Sequence, residues 1–433
     1  MKKKHIIAII ITVLVAIVVA AGLFIYSKLS LINTVELNED NIKRSELYTD
    51  PTETPAQAEE AETAEEDKEP NPYSGYEIIA LVGLDSRDLS QWGNSDTMMF
   101  ACIDHDNETI KLFSLYRDTY LDISGDGGPY TKANAAYCAG GPEQFLSMVN
   151  VNLDLDVSKF VTTNFKALAD CIDALGGLDI DMTRQELIHM NNYNVETSEV
   201  CGRDYIAIDV PDISVFDGAI TQTFHCTGTQ AVSYARIRYT EGWDYKRTER
   251  QRLVVQKIKD KLKNADLATL NSVINTVFPE ITTNLTSSEL LSMAKYVLSY
   301  EIVDQTGFPF DKAGISIDGS DPVVPITLES NVIQLHEFLF PGVAYTPSAR
   351  VQEISNYIAA KASGASTSTT DTPTNTPTPT ATDTPTPVVT ETPTEVPTEA
   401  PTEVPTEVPT EAPQPEPTEA PQPEPTTDPG AES

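Results

Sequence analysis

Apolar positions in this chain recur with two periods, one of two residues and one near 3.6, and the changes between them predict an order of elements. Short apolar strands are predicted over 78–82, 97–103 and 109–115, the last two joined by the polar D-H-D-N-E of residues 104–108. Helical spacing follows over 132–139 and 142–152, then a strand over 159–163. A helix over 165–175 stops at Gly176-Gly177 and gives way to a strand over 178–182. Further on, an amphipathic helix runs over 252–263 with Leu253, Val254, Ile258 and Leu262 on one side. Helices follow over 265–277, 287–300, 330–339 and 348–360, and one strand over 314–317 is expected to join the sheet. Strands alternating with helices in this way predict an α/β fold, a mixed central β-sheet flanked by helices in an α-β-α sandwich.

The two ends do not follow these periods. Met1-Lys-Lys-Lys-His5 precedes an uncharged run over 6–26, long enough as a helix to cross a bilayer core. Its basic end predicts a single membrane span with a cytoplasmic N-terminus. Ala20-Ala21-Gly22 is also compatible with signal-peptide cleavage, but the run is long for a signal peptide and favours an anchor. Residues 28–73 are expected to be an acidic disordered linker, and 362–433 is a Pro/Thr/Glu-rich low-complexity tail without Lys or Arg. The organisation expected is therefore an anchor over 1–27, the linker, one extracellular domain over 74–361 and the tail. The domain divides into a motif core over 76–263 and a helical remainder over 264–361. The net charge of -36 arises largely in the linker and tail, so it bears on solubility more than on chemistry.

Outside the membrane thiols can oxidise, and the chain has five cysteines, none with zinc-ligand spacing. Cys201 and Cys226 bracket a segment without clear periodicity and form the first candidate disulfide; Cys138 with Cys171 is a second, and Cys102 is expected to be a buried thiol.

Candidate chemistry concentrates at strand ends and in one basic stretch. Asp85 and Arg87 follow the first strand, Asp96 precedes the second, and Arg117 and Asp118 follow the third. Carboxylates beside arginines at strand ends suit a divalent cation holding a polyphosphate, although aspartates there are also ordinary turn residues. Residues 235–252 gather five arginines and a lysine against three acids. Arg236 and Arg238 are expected on one face of a strand, and Arg247 and Arg250 on one face of a helix; Lys246 and Arg252 are expected to face solvent. Taken alone, this spacing fits a phosphate clamp and a solvated basic face equally well.

G-L-D-S-R at 83–87, S-D-T-M-M at 95–99, L-Y-R-D-T at 115–119, K-A-N-A-A-Y at 132–137, D-A-L-G-G-L-D-I at 173–180, and Y-A-R-I-R with R-T-E-R-Q within 234–251 occur in one order. Over roughly 76–263 they resemble the LytR-CpsA-Psr family of bacterial cell-envelope proteins. The resemblance implies an anchored enzyme of Gram-positive organisms that moves a lipid-linked glycopolymer, teichoic acid or capsular polysaccharide, from a polyprenyl pyrophosphate carrier to peptidoglycan through a phosphodiester. It implies magnesium, with manganese as the alternative, held by Asp85 and Asp96. Arg87, Arg117, Arg236, Arg238, Arg247 and Arg250 would bind the pyrophosphate, with Lys132 and Gln251 at further positions of the polar site. An apolar cleft between sheet and helices would take the isoprenoid. Asn94 stands where the family pattern has Arg and Tyr116 where it has Pro, and the insert 184–223 aligns with nothing.

Displacement at a pyrophosphate phosphorus builds charge on the leaving phosphate, which guanidinium groups and a metal stabilise. The attacking hydroxyl must lose a proton, to an aspartate at the metal or to Asp118. Two other readings use the same residues: a pyrophosphatase or phosphatase with water as acceptor, and a non-enzymatic binder of anionic wall polymer. A short basic patch on an exported chain argues against nucleic acid.

Overall fold

The computed structural model describes residues 26–48, 71–84, 92–238 and 243–364. Asp85, Arg87, most of the 6–26 run, the acidic stretch 49–70 and the tail beyond 364 lie outside the described residues.

In chain order the strands are β1 (Asn33–Thr34), β2 (Tyr76–Leu84), β3 (Ser95–Asp104), β4 (Thr109–Leu115), β5 (Tyr120–Asp122), β6 (Tyr130–Lys132), β7 (Lys159–Thr163), β8 (Leu178–Thr183), β9 (Thr221–Cys226), β10 (Thr282–Thr283), β11 (Glu301–Phe308), β12 (Lys312–Gly314) and β13 (Val323–Pro325). The helices are α1 (Ala135–Leu153), α2 (Phe165–Ala174), α3 (Arg184–Val200), α4 (Gly228–Arg236), α5 (Trp243–Lys263), α6 (Leu267–Val277), α7 (Ser287–Ser299), α8 (Leu328–Leu339) and α9 (Ala349–Ser363).

A mixed seven-stranded sheet with the order β1-β10-β7-β2-β3-β4-β11 forms the middle layer. Side-chain alternation along β2, β3 and β4 feeds two cores. Ala80, Val82, Met98, Phe100, Phe113 and Leu115 face α1, α8 and α9, while Ile79, Met99, Ile103 and Leu112 face Val255 of α5 and Met293 and Tyr296 of α7. A smaller apolar cluster joins α2, α3, α4 and the β8–β9 ribbon beside the sheet.

Several expectations need correcting. The last strand to join the main sheet is Glu301–Phe308, paired parallel with β4, whereas residues 312–314 belong to a separate β12–β13 pair. β11 is an edge strand with half its positions exposed and one buried, so it carries little apolar alternation to detect. Residues 178–182 do form a strand, but β8 pairs only with β9. The two helices expected around Gly140 are one element kinked at Gly140-Gly141-Pro142, where Gly141 has a φ of 64° and the Trp92 ring lies where its Cβ would be.

The linker expectation fails over residues 28–48. β1 pairs parallel with β10 at the sheet edge. Beyond it Asn41 donates to Glu143 at 2.8 Å, Arg44 pairs with Asp156, Ile42 enters the core, and Ser45 donates to the buried Asp154 at 2.7 Å. Polar anchoring of this kind leaves no apolar period in the sequence. The cysteine pairing also fails. All five are free thiols. Cys201 and Cys226 enter one apolar cluster from the end of α3 and the end of β9 as small buried side chains, and burial pushes the Cys226 thiol up to about 12.

Candidate functional site

The strand ends predicted to carry chemistry lie together. β2 runs up to Leu84 and β3 returns antiparallel from Ser95, so Asp96 stands at the same end of the sheet as the close of β2. β4 reaches that end at Leu115, and a tight turn, closed by Thr119 N–H on the Tyr116 carbonyl at 2.9 Å, throws Arg117 out beside Asp96. The β5–β6 hairpin comes back to the same place, and Asn134 N–H donates to the Arg117 carbonyl at 3.0 Å.

Asp96 is the focus of the charges. Arg117 Nη1 donates to both its carboxylate oxygens at 2.9 and 3.0 Å, and Arg238 Nη2 lies 3.4 Å from Oδ2. Arg247 Nη2 donates to the Asp96 carbonyl at 3.2 Å. Asn94, Asp96, Arg117, Arg236, Arg238, Arg247 and Gln251 line one cleft of about 840 Å³, whose opposite wall is a face of α3. That face shows His189, Asn192, Tyr193 and Glu196, four residues at the spacing of one helical stripe. Sequence reasoning missed them because residues 184–223 matched no motif, although that spacing and the Thr183/Glu186 capping box both signal the helix. Burial and the nearby Arg250 guanidinium lower the His189 imidazole below its ordinary range.

The arginines divide differently from the expectation. Arg236 does not share a strand face with Arg238. It closes α4, a helix opened by the Thr227/Gln230 capping box, and Arg238 follows after Ile237 turns extended. Arg236 lines the cleft but is held by α3, donating to Thr197 Oγ1 at 2.8 Å and Glu196 at 3.0 Å and lying over the Phe165 ring at 4.7 Å. Arg250 shares the inner side of α5 with Arg247, yet its Nε donates to Glu186 at 3.0 Å and its Nη1 to the Ile237 carbonyl at 3.2 Å. It sits outside the cleft lining and ties α5 to α3 and to the segment carrying Arg238. Arg252, expected in solvent, is buried and donates to Ser114 Oγ at 2.9 Å. Lys246 is exposed, as expected, and pairs with Glu249.

Asp118 and Lys132 pair with each other at 3.2 Å, and Asp118 also lies 3.5 Å from Arg117 Nε. Neither lines the cleft, so they hold Arg117 from behind. Tyr116, where the family pattern has Pro, is buried against Tyr245, with Gly307 leaving room for its hydroxyl.

A second groove of about 720 Å³ is more apolar, lined by Val35, Leu37, Trp92, Tyr137, Pro142 and Phe160. It borders the first cleft through sequence neighbours: Trp92 and Asn94, Asn164 and Phe165, Tyr137 and Asn134 line one and the other.

The profile of the LytR_cpsA_psr family matches residues 46–334. The chain belongs to the LytR-CpsA-Psr family. Among its relatives, Bacillus subtilis TagV, named a polyisoprenyl-teichoic acid–peptidoglycan teichoic acid transferase, is 27% identical over 265 residues, 59% of this chain and 59% of the relative. An Enterococcus faecalis protein named as the corresponding transferase TagU is 32% identical over 200 residues, 46% of this chain. The matches thus span 59% and 55% of these two relatives' own lengths. A Streptococcus agalactiae protein of solved structure shares the fold with a TM-score of 0.50 and 25% identity, over 65% of this chain and 94% of its own.

Among the described residues of this LytR-CpsA-Psr domain no group of three or more His, Cys, Asp or Glu could hold a metal. Magnesium, however, keeps several waters and needs only one or two carboxylates beside substrate phosphates. Oδ1 of Asp96 keeps a lone pair that neither Arg117 nor Arg238 uses, so the donor set at this cleft fits such an ion.

Proposed function

We propose that this chain transfers a lipid-linked anionic glycopolymer, of teichoic acid or capsular type, from a polyprenyl pyrophosphate carrier to peptidoglycan, forming a phosphodiester. The observation that carries the proposal is the convergence of Arg117, Arg238 and Arg247 on Asp96 in the wall of one cleft. The names of the family relatives support the substrate class.

Arg117, Arg238 and Arg247 present planar donors to the pyrophosphate, and their fixed positions stabilise charge as it develops on the leaving phosphate. Asp96, together with Asp85 beyond the end of β2, would hold magnesium, or manganese in its place, which supplies further charge neutralisation when bound. An acceptor sugar hydroxyl attacks the phosphorus next to the glycan. The new P–O bond forms as the bond to the bridging oxygen breaks, leaving polyprenyl phosphate, and the hydroxyl proton passes to a carboxylate at the cleft. Asp118 is a poor choice for that base, being held by Lys132 and Arg117 outside the lining. The neighbouring apolar groove is the place for the isoprenoid, and its border with the cleft would put the pyrophosphate among the arginines. The run over 6–26 would anchor the chain in the cell membrane with the domain outside.

The test is a transfer assay with the full-length chain in mixed micelles, a polyprenyl pyrophosphate-linked polymer, magnesium and peptidoglycan. Arg238→Ala, at the cleft wall, should lower polymer transfer by about 10²-fold or more. Equal phosphate release with and without peptidoglycan would make water the acceptor and the chain a hydrolase.

A further inference from the structure

We propose that the corner of the domain built from residues 26–34 and α6 lies on the outer face of the membrane, with Leu267, Leu270 and Ile274 entering its headgroup boundary. The proposal rests on reading residues 6–26 as an anchor, and it adds which face of the domain meets the lipid.

α6 has the sequence LATLNSVINTV, without a charged residue, and buries only Val273. Val273 and Val277 lie on the inner side of an apolar stripe and pack with Cys171 and Leu175 at the end of α2 and with Ile258 and Leu262 of α5. Leu270, Ile274 and Leu267 widen this stripe outward, about 60°, 100° and 120° around the helix from Val273. Leu267 is 84% exposed, and Leu270 and Ile274 are partly buried. The inner side of this stripe is covered by α2 and α5, and its outer end, at Leu267, is open.

The uncharged run that ends at Tyr26 leads straight to this helix. Lys28 Nζ donates to Asn275 of α6 at 2.6 Å, and Asn33 Nδ2 donates to the Pro279 carbonyl just beyond it at 3.0 Å. Ser30 N–H closes a helical turn on the Tyr26 carbonyl, so the segment between the run and β1 has no slack. Register then orients the whole domain. Asn33 is level with Thr282, Thr282 with Thr162, and Thr162 with Val82, two residues before the close of β2. β1 therefore enters at the end of the sheet that carries the cleft. Near the stripe stand Lys28, which reaches Asn275, and Lys261 and Lys263 in the last turn of α5, cations that can meet lipid phosphates. Asp260 and Asp266 stand beside them, and Asp266 caps α6 through Thr269 N–H at 2.7 Å. In this pose the apolar groove, whose lining includes Asn33 and Thr282, opens beside the bilayer, and a carrier lipid reaches it without crossing water.

The experiment uses the full chain reconstituted in vesicles of anionic lipid, with and without bromine on the acyl chains. Leu267→Trp adds a reporter on the stripe. Val303→Trp adds one on β11, the opposite edge of the sheet, six strand spacings or about 29 Å away. The expected result, read as the difference from the parent chain, is quenched and blue-shifted emission for Leu267→Trp and unchanged emission for Val303→Trp. Equal response of the two reporters, or none at Leu267, overturns the proposal. Flotation of the parent chain with the vesicles reads the anchor separately: a chain that floats without quenching at Leu267 refutes the docking face alone, and one that does not float refutes both.

Discussion

Replacing Asp96 by Asn keeps the side chain's shape and removes the charge that Arg117 and Arg238 share. Arg117 donates to both carboxylate oxygens, Arg238 approaches one, and both pairs are mostly shielded from solvent. A unit-charge pair near 4 Å is worth about 4 kcal/mol at an effective dielectric constant of 20, and the remaining exposure reduces each pair to roughly 1–2 kcal/mol. The free domain should therefore lose about 2–3 kcal/mol, which for a domain of this size lowers the melting temperature by roughly 4–12 °C. The same substitution relieves the arginines of a competing anion. Inorganic pyrophosphate, titrated calorimetrically in EDTA, should bind about 10-fold more tightly, equivalent to 1.4 kcal/mol. Polymer transfer should fall by about 10²-fold or more despite the better anion binding, because the carboxylate proposed for magnesium is gone. Weaker pyrophosphate binding would refute the view that Asp96 and the phosphate share the same guanidinium groups, and undiminished transfer would refute the site.

Arg250→Ala should behave unlike Arg238→Ala: stranding Glu186 costs about 3 kcal/mol of stability, seen in denaturant unfolding, while the KM for the carrier changes little. His336 is buried, its Nε2–H donating to the Leu153 carbonyl at 2.9 Å, and burial lowers its pKa to about 4. Because the folded value lies below the unfolded 6.5, its stability contribution is complete above pH 6.5 and is lost as pH falls toward 4, by about 3 kcal/mol in all. His336→Gln should flatten the melting temperature across that window. Thiol titration of the denatured, unreduced protein should count five thiols, and reductant should leave the melting temperature unchanged.

What could be read from the sequence was local. The alternation along β2, β3 and β4 predicts both their extents and the two-sided core, because each side chain's face follows from its parity. Asp96, Arg117, Arg238, Arg247 and Gln251 do come together at the cleft. Arg236 was misassigned because Y-A-R-I-R alternates like a strand, whereas the signal that decides it, the Thr227/Gln230 capping box, lies several residues upstream. Arg250 and Arg252 could not be sorted from solvent-facing residues, since their partners Glu186, the Ile237 carbonyl and Ser114 are supplied by other elements. β1 is two residues long and held by its partner's backbone, so nothing in its side chains announces it.

That small strand bears on when the protein can finish folding. Asn33 reaches a carbonyl 246 positions later in the chain, so the first folded segment to be synthesised must wait for one of the last. At about 5–20 residues per second, that interval is roughly 12–50 s of synthesis. The buried Asp154 extends the dependence, since it gathers Ser45 from the start of the domain and Tyr345 and Ser348 from its end. A nascent chain stopped short of Thr282 would leave β7 without its outer neighbour and the N-terminal strap unpaired, exposed to proteases and to pairing with other chains. The closure of the sheet edge thus acts as a check that nearly the whole domain has been made.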